Sequence, residues 1–255
     1  MRTFYSELEN IHHASFSPDG QRLLIAGGVA GESGTAELFN WPEGDVLSRW
    51  DLHNDVIYEA NWSPNGQSFV TASADGFCKL IDPATGQVRS QFSGHSGVVI
   101  TAIFLDADDC VSGGVDQTIR VWKAADGRLL RTLNNHTHQV NGVAIQPKNT
   151  GSPTDLLASI SEDRTVRFWQ PRTGRLVRFT QLTATPRALV WSSGHSDVFV
   201  ATADGAVSRV YASSANVSGE PASGSGQTHE ILLDEKRRLI LLAGDFGVRP
   251  QSISE

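Results

Sequence analysis

The hydrophobic and polar positions of the chain repeat with a nearly constant period. Apolar residues that close short strand-like segments recur at an almost even spacing, at Phe16, Trp62, Phe104, Ile145, Trp191 and Leu232. A period of roughly forty to forty-five residues is typical of repeat proteins, in which each repeat forms one supersecondary unit and packs against its neighbours. The pattern therefore predicts six related units along the chain.

Two kinds of turn recur within these units. One directly follows the apolar position and is clearest at Pro18-Asp19-Gly20 and Pro64-Asn65-Gly66, where proline presets φ and Asp-Gly or Asn-Gly favours a tight hairpin. The other centres on an acidic residue at a matching distance after most of the apolar positions, at Asp75, Asp116, Asp163, Asp204 and Asp245. In the fourth unit this turn comes later because residues 148–154 are inserted. These features predict four short strands per unit, as in a propeller blade.

Particular residues add a family resemblance to this pattern. Gly94-His95, Val121-Trp122 and Phe168-Trp169 fall where the WD-repeat (WD40-type) β-propeller family has its Gly-His and Trp-Asp marks. The chain resembles that family over nearly its full length. The resemblance implies an all-β fold of about six four-stranded blades in a single domain, residues 1–255. It also implies a ring closed by N- and C-terminal strands in one blade, near Phe4. An open ring and a fragment of a larger propeller are the alternatives.

The resemblance also implies a structural tetrad of side chains that are joined by buried hydrogen bonds. We expect the complete tetrad only in the fourth unit, as His136, Ser161, Asp163 and Trp169. The third unit has Gly114 at the serine position, and the second has Ile81 at the tryptophan position. These units are therefore expected to be held together less tightly.

Composition narrows the possible partners and locations. The net charge of −7 argues against nucleic acid as the main partner, because that binding depends on clustered Lys and Arg. No apolar run approaches the length of a membrane-spanning helix, and the N-terminal residues lack the apolar segment of a secretory signal. We therefore expect a soluble, cytoplasmic chain with no membrane contact.

The Ser/Gly-rich residues 213–227 are too poor in apolar side chains to order a firm strand, so a loose outer edge is expected there.

Candidate chemistry is sparse. His12-His13 and His136-Thr137-His138 have no cysteine or carboxylate partner at ligand spacing, so we predict neither a metal site nor a cofactor. Ser193, His195 and Asp197 lie too close together in one predicted turn to act as a hydrolase triad. The acidic turn residues recur from unit to unit, as structural residues do, whereas a catalytic acid would occur once. The chain is therefore predicted not to be an enzyme.

The resemblance places partner binding on the face where the first strands begin. It assigns the positions six and four residues before each apolar position, together with one residue before an acidic turn: Asn10, His12, Val56, Tyr58, Val98, Ile100, Gln139, Asn141, Thr185, Arg187 and Glu162. Tyr58 and Arg187 are the expected hot spots, since Tyr and Arg are enriched among them. The predicted function is a scaffold that binds a protein or peptide partner and is monomeric alone. The alternatives are a propeller that accepts a strand or blade from another chain, and a small-ligand or enzymatic propeller that uses its central channel.

Overall fold

The structure of the chain is a computed structural model. It describes residues 5–147, 156–192, 196–220, 228–234, 239–244 and 247–252. The elements within these ranges are antiparallel β-strands joined by short turns, which confirms the predicted all-β fold. The chain divides into two compact units, Met1–Thr132 and Leu133–Glu255. The single domain over residues 1–255 therefore stays a prediction.

The first unit contains three four-stranded sheets, each with its strands in chain order. The first sheet consists of β1 (Ile11–Phe16), β2 (Arg22–Val29), β3 (Ser33–Asn40) and β4 (Val46–His53). The second consists of β5 (Ile57–Trp62), β6 (Phe69–Ser73), β7 (Cys78–Ile81) and β8 (Val88–Phe92). The third consists of β9 (Val99–Phe104), β10 (Asp109–Gly114), β11 (Ile119–Lys123) and β12 (Leu129–Leu133), whose last residue passes the boundary between the units.

The second unit repeats the same arrangement. The fourth sheet consists of β13 (Val140–Ile145), β14 (Leu157–Ser161), β15 (Thr165–Gln170) and β16 (Arg175–Gln181). The fifth consists of β17 (Pro186–Trp191), β18 (Asp197–Thr202), β19 (Val207–Tyr211) and β20 (Val217–Glu220). Three strands of the sixth sheet lie within the described residues, as β21 (Thr228–Asp234), β22 (Leu239–Gly244) and β23 (Gly247–Ser252).

The predicted period corresponds to the first strands of these sheets. Five of the six apolar positions are the last residues of a first strand, at Phe16, Trp62, Phe104, Ile145 and Trp191, and the sixth, Leu232, lies within β21. Trp62, Phe104 and Trp191 are buried, whereas about half of the Phe16 side chain is exposed. The period therefore indicates the end of a strand more reliably than it indicates a core position.

The hairpin after each first strand follows from local chemistry. Asp19 Oδ1 accepts a hydrogen bond from Gln21 N–H at 3.0 Å, and Asn65 Oδ1 accepts one from Gln67 N–H at 3.0 Å. The glycine that follows each of them adopts a positive φ, 69° in the first sheet and 67° in the second, where a Cβ would be strained. These side-chain and backbone preferences are why both turns form where the sequence predicts them.

The core of the first unit lies between adjacent sheets. β6 and β10 are buried along their whole length, because each is a central strand covered on both faces. Trp122 stacks on Phe92 with ring centroids 5.2 Å apart, and both belong to the apolar cluster that joins the second and third sheets. Cys78 and Cys110 are buried in the same cluster as free thiols. The core is thus built by packing sheets face to face.

Two expectations concern the ends and edges of the sheets. Phe4, which was expected to complete the last sheet, lies outside the described residues, so ring closure stays a prediction. Within the Ser/Gly-rich segment Val217–Glu220 pair with β19 as β20, and the expected looseness of residues 213–227 stays a prediction. Backbone pairing with an existing edge orders these four residues despite their composition, while residues 221–227 lie outside the described residues.

Candidate functional site

A hydrogen-bonded network of four side chains crosses the fourth sheet. Trp169 Nε1 donates to Ser159 Oγ at 2.8 Å, and Ser159 Oγ lies 2.7 Å from His136 Nε2. His136 Nδ1 lies 2.8 Å from Asp163 Oδ2, and because the carboxylate only accepts, Nδ1 carries the proton. Burial lowers the pKa of His136, which favours the neutral ring. Burial raises the pKa of Asp163, but hydrogen bonds from Thr165 and His136 outweigh it and lower that pKa to about 2.

The serine of this network is Ser159, so the assignment of Ser161 to the tetrad is wrong. Ser161 Oγ instead donates to the carbonyl of His138 at 3.1 Å and accepts from Asp163 N–H at 3.1 Å. Side chains two residues apart in a strand share a face, so the alternation of polar and apolar residues does not separate the two serines. The cross-strand register separates them, because the Trp169 indole reaches its diagonal neighbour on β14, which is Ser159.

The third sheet has the same complete network, and the expectation that Gly114 interrupts it is wrong. Ser112 Oγ lies 2.8 Å from His95 Nε2 and accepts from Trp122 Nε1 at 3.2 Å. His95 Nδ1 lies 3.0 Å from Asp116 Oδ2. Burial raises the pKa of Asp116, but the hydrogen bond and charge of His95 and the hydrogen bonds from Thr118 and Ser96 N–H together outweigh it, and the pKa is lowered. Gly114 lies two residues beyond Ser112, which is the same offset as in the fourth sheet.

The second sheet has a shorter version of the network. His53 Nδ1 lies 2.8 Å from Asp75 Oδ2, and His53 Nε2 lies 2.7 Å from Thr71 Oγ1. Ile81 occupies the position of the tryptophan, so no indole reaches Thr71. The hydroxyl of Thr71 therefore replaces the serine, and the network ends there.

These networks hold the loops that lead into the first strands. The acid of each network also accepts from a backbone N–H in the preceding loop: Asn54 N–H at 3.3 Å, Ser96 N–H at 3.1 Å and Thr137 N–H at 3.1 Å. Contacts of this kind join residues that are far apart in the chain, Asn54 with Asp75 and Thr137 with Asp163. They place the starts of β5, β9 and β13, where most of the candidate binding residues lie.

Sequence reasoning missed the residues that extend the networks. In the fourth sheet Arg167 Nε donates to Thr165 Oγ1 at 3.0 Å, and Thr165 Oγ1 donates to Asp163 Oδ1 at 2.6 Å. The third sheet repeats this arrangement with Arg120 and Thr118. The signal was present in the sequence, since both repeats place Asp, Thr, Arg and Trp two residues apart. The network serine also lies ten residues before the tryptophan in both repeats.

In the first unit the candidate binding residues form a mixed aromatic and aliphatic surface. The predicted members are Asn10, His12, Val56, Tyr58, Val98 and Ile100. The rings of His12 and Tyr58 meet edge to face with centroids 5.5 Å apart, and Tyr58 is half-buried. Val98 and Ile100 are also half-buried, and exposed Asn10 donates from Nδ2 to Gly28 O at 3.3 Å. Val56 is only 4 % exposed, so its assignment to a binding surface is wrong: it packs in the core.

In the second unit the candidate residues form a polar cluster that joins β13 to β17. Glu162 Oε1 accepts from Arg187 Nη1 at 2.7 Å and from Asn141 Nδ2 at 3.2 Å. Asn141 Nδ2 also donates to Pro186 O at 2.9 Å, and Gln139 Nε2 donates to Asn141 Oδ1 at 3.0 Å. Half-buried Thr185 lies beside this cluster in sequence. About one third of the Arg187 and Glu162 side chains remains exposed.

The electrostatics of this cluster suit binding rather than proton transfer. Arg187 and Glu162 neutralise each other, and the carboxylate oxygen that binds the guanidinium is already engaged as an acceptor. Arg187 Nε is buried without a hydrogen-bond partner among the described residues, so it is a desolvated donor and not one that a ligand reaches. The exposed third of each side chain is the part that is accessible from solvent.

The other sites considered from the sequence were a metal site and a hydrolase triad. It contains no group of three or more His, Cys, Asp or Glu side chains that could hold a metal ion. Ser193 and His195 lie outside the described residues, and Asp197 is fully buried against Ser192 and Arg209. No helix with the length and apolarity needed to cross a membrane occurs in the described ranges.

Comparison with protein families gives three matches to one repeat. Residues 44–82, 86–123 and 127–170 match the model described as "WD domain, G-beta repeat". Each match begins before the last strand of one sheet and ends at the third strand of the next, for example from β4 to β7. The sequence repeat is thus offset by one strand from the structural sheet.

Several curated proteins resemble the chain over part of its length. The Denticleless protein homolog of Danio rerio is 33% identical over 138 residues, which cover 52% of this chain and 21% of that protein. The COMPASS component SWD3 of Saccharomyces cerevisiae is 30% identical over 152 residues, which cover 59% of this chain and 45% of that protein. The chain thus spans less than half the length of these relatives.

One solved structure shows how far the fold is shared. A chain in a crystal structure of the mitotic checkpoint complex superposes with a TM-score of 0.83 and 20% sequence identity. The match covers 96% of this chain and 75% of that one. At this identity the likeness shows the fold alone. The described sheets, five with four strands and one with three, agree with about six blades.

Proposed function

The chain is a WD40-repeat protein of the β-propeller family, and on that premise we propose that it is a non-catalytic scaffold that binds a protein or peptide partner. In each unit taken by itself, the proposed surface comprises the partly exposed residues at the starts of the first strands, with Glu162 from the turn after β14. In the first unit these include His12, Tyr58 and Ile100, and in the second unit Asn141, Glu162 and Arg187. The relatives named as parts of complexes, such as the COMPASS component, support a protein as the partner class.

The observation that carries this proposal is that partly exposed side chains near the starts of the first strands are already held by neighbouring side chains. Arg187 is held by Glu162 at 2.7 Å, and Tyr58 is held by the His12 ring. Side chains that are already ordered lose little conformational entropy on binding, which favours affinity. Tyr and Arg that are half-buried in this way have the properties of interface hot spots.

The same geometry supports a non-catalytic role. The proposed surface has one histidine, His12, and one carboxylate, Glu162, and the carboxylate is paired with Arg187. General acid and base catalysis needs a proton donor and acceptor that converge on one reacting group. In the first unit His13 Nε2 lies 4.0 Å from Glu59 Oε1, but both side chains are mostly buried and accept hydrogen bonds from backbone N–H groups, of Ala60 and Ala102, which is a structural arrangement.

The test is a double substitution of Tyr58→Ala and Arg187→Ala in the intact chain. Affinity capture from the native cell first identifies a partner, and its affinity for the purified wild-type and variant chains is then measured. Two hot spots of about 2 kcal/mol each predict a loss of more than about 100-fold, while the melting temperature changes by less than about 4 °C.

A control with the same residue types checks that the effect is local. Tyr5 and Arg128 are exposed and are not among the residues of the proposed surface, so Tyr5→Ala with Arg128→Ala is expected to keep partner affinity within about twofold. Undiminished binding by the Tyr58 and Arg187 variant would reject the proposed surface. A measured turnover of a small-molecule substrate would instead favour an enzymatic propeller.

A further inference from the structure

A cavity of about 290 Å³ lies in the first unit, at the ends of the second and third sheets opposite to the proposed binding surface. Leu80 and Phe104 contribute apolar lining, and Gln67, Arg89 and Asp108 contribute polar lining. Phe104 is the last residue of β9, whereas Ile100 lies near the start of that strand. The residues of the cavity are therefore distinct from those assigned to partner binding.

The volume of the cavity is at the lower end of the range for small-molecule pockets and is sufficient for a single side chain. Pockets for small-molecule ligands have volumes of roughly 300 to 1,000 Å³. Here a short apolar wall, formed by Phe104 and Leu80, faces polar groups contributed by the turns at residues 63–68 and 106–108. A long side chain with an aliphatic stem and a polar end complements a lining that is apolar on one side and polar on the other.

The charges at the cavity favour a cation over an anion. Arg89 lines it, but Arg89 Nη2 lies 2.6 Å from Asp82 Oδ2 and Nη1 donates to Ser68 Oγ at 2.7 Å, so its charge is compensated. Lys123 Nζ is paired with Asp109 Oδ1 at 2.7 Å. The pKa of Lys123 is raised chiefly by Asp109 and also by exposed Asp108 and by Asp106, so three carboxylates surround one cation and leave a net negative charge at the rim.

The net charge of the whole first unit also favours a cation. Residues 1–132 contain 17 Asp and Glu against 9 Lys and Arg, whereas the rest of the chain is nearly balanced. A surplus of one sign attracts partners of the opposite sign before contact is made. A basic segment therefore meets a favourable net charge on this unit.

We propose that this cavity binds one lysine or arginine side chain from a basic peptide segment of a partner protein. The aliphatic stem packs against Phe104 and Leu80, and the cationic end lies at Asp108. The site is distinct from the proposed surface, because Ser63, directly after β5, follows Tyr58 by five positions, a separation of about 17 Å along the strand.

The test uses the intact chain and two short peptides. The lysine peptide acetyl-Gly-Lys-Gly-amide is titrated into the isotopically labelled chain, and backbone amide resonances are followed by NMR. We expect saturable shifts at Gln67, Asp108 and Ala125, which line the cavity. The same peptide with norleucine in place of lysine keeps the apolar stem without the charge, and it is expected to bind about fivefold more weakly.

Two variants and a matched control locate the interaction. Asp108→Asn is expected to weaken lysine-peptide binding about fivefold, and Ala125→Trp, which fills the cavity and keeps every charge, is expected to abolish it. Asp126→Asn makes the same charge change in a neighbouring turn outside the cavity and is expected to stay within about twofold.

Three results would overturn the proposal. They are equal binding of the lysine and norleucine peptides, equal effects of Asp108→Asn and Asp126→Asn, and no saturable shift at the cavity residues. An acidic peptide that shifts the same resonances more strongly would also overturn it, since Arg89 would then be the ligand. None of these results bears on the Tyr58 and Arg187 surface, which is tested by partner affinity.

Discussion

The fourth and fifth sheets are neighbours in the second unit, and each buries a carboxylate at a different end. In the fourth sheet the carboxylate is Asp163, which lies where β13 begins and is bound by His136. In the fifth sheet it is Asp197, which lies where β17 ends and forms an ion pair with Arg209. The acid of the fifth sheet that aligns with Asp163 is Asp204, and its hydrogen bonds are local, to Thr202 Oγ1 and Ala206 N–H.

This difference shows that one recurring turn has two structural roles. The acidic turn forms in both sheets, because an aspartate accepts from a backbone N–H two residues on. Among the second to fifth sheets, the same acid also holds a distant loop only where a histidine precedes the first strand. The less firmly held fifth sheet nevertheless presents Arg187 in a defined position, because Glu162 of the fourth sheet binds it.

The largest expected effect comes from removing the aligned acids of the two sheets. Asp163→Ala leaves the buried His136 Nδ1–H and the Thr137 N–H without an acceptor, and it is expected to lower the free energy of unfolding by about 3 kcal/mol. Asp204→Ala removes only local turn contacts and is expected to cost less than about 1 kcal/mol. Urea unfolding followed by circular dichroism measures both. Equal losses would show that the histidine network adds nothing to the turn.

A smaller effect distinguishes the two serines of β14. Ser159→Ala leaves Trp169 Nε1–H and His136 without their shared partner and is expected to cost about 2 kcal/mol, against about 1 kcal/mol for Ser161→Ala. The sharper measurement is the indole resonance of Trp169, assigned by its loss in Trp169→Phe. It is expected to move in Ser159→Ala and to stay in place in Ser161→Ala. The reverse pattern would restore Ser161 to the tetrad.

The smallest expected effect is the pH dependence of stability. Burial lowers the pKa of His136 from 6.5, so the unfolded chain binds a proton more readily, and stability falls as the pH drops below about 6.5. The pKa of Asp163 is lowered from 3.8 to about 2, so its contribution is present above about 3.8 and is lost as the pH falls through about 2. The measurement is the urea midpoint at pH 7.5 and pH 5.5.

Two histidine variants check which group causes the difference between the urea midpoints at the two pH values. His136→Gln is expected to reduce the difference between the two midpoints, leaving the part that buried His53 contributes. Exposed His138→Gln is the matched control and is expected to leave the difference unchanged. If the difference between the two midpoints is unchanged in His136→Gln, the network histidine is not the group that titrates.

Much of the fold was predictable, and the site was predictable only in part. The ends of β1, β5, β9, β13 and β17 coincide with the predicted apolar positions. The binding positions carried over from the family resemblance include Val56, which is buried, and two pairs that make direct contacts, His12 with Tyr58 and Glu162 with Arg187. The period predicts that such residues occupy equivalent places, but it does not predict which of them face solvent, because that depends on the neighbouring sheet.

The sequence by itself determined where the strands end and where the turns form. These features depend on the φ preferences of Pro and Gly, on aspartate and asparagine side chains that bind the nearby backbone, and on alternation within a strand, all of which act over a few residues. The turns Pro18-Asp19-Gly20 and Pro64-Asn65-Gly66 are examples in which local chemistry suffices.

Only the tertiary structure decided which side chains meet. Trp169 chooses Ser159 over Ser161 through the register of two strands, and Glu162 meets Arg187 because two sheets pack side by side. These partners are 10 and 25 residues apart in the chain. Such contacts depend on how whole strands and sheets are aligned, and no preference of a single residue specifies that alignment.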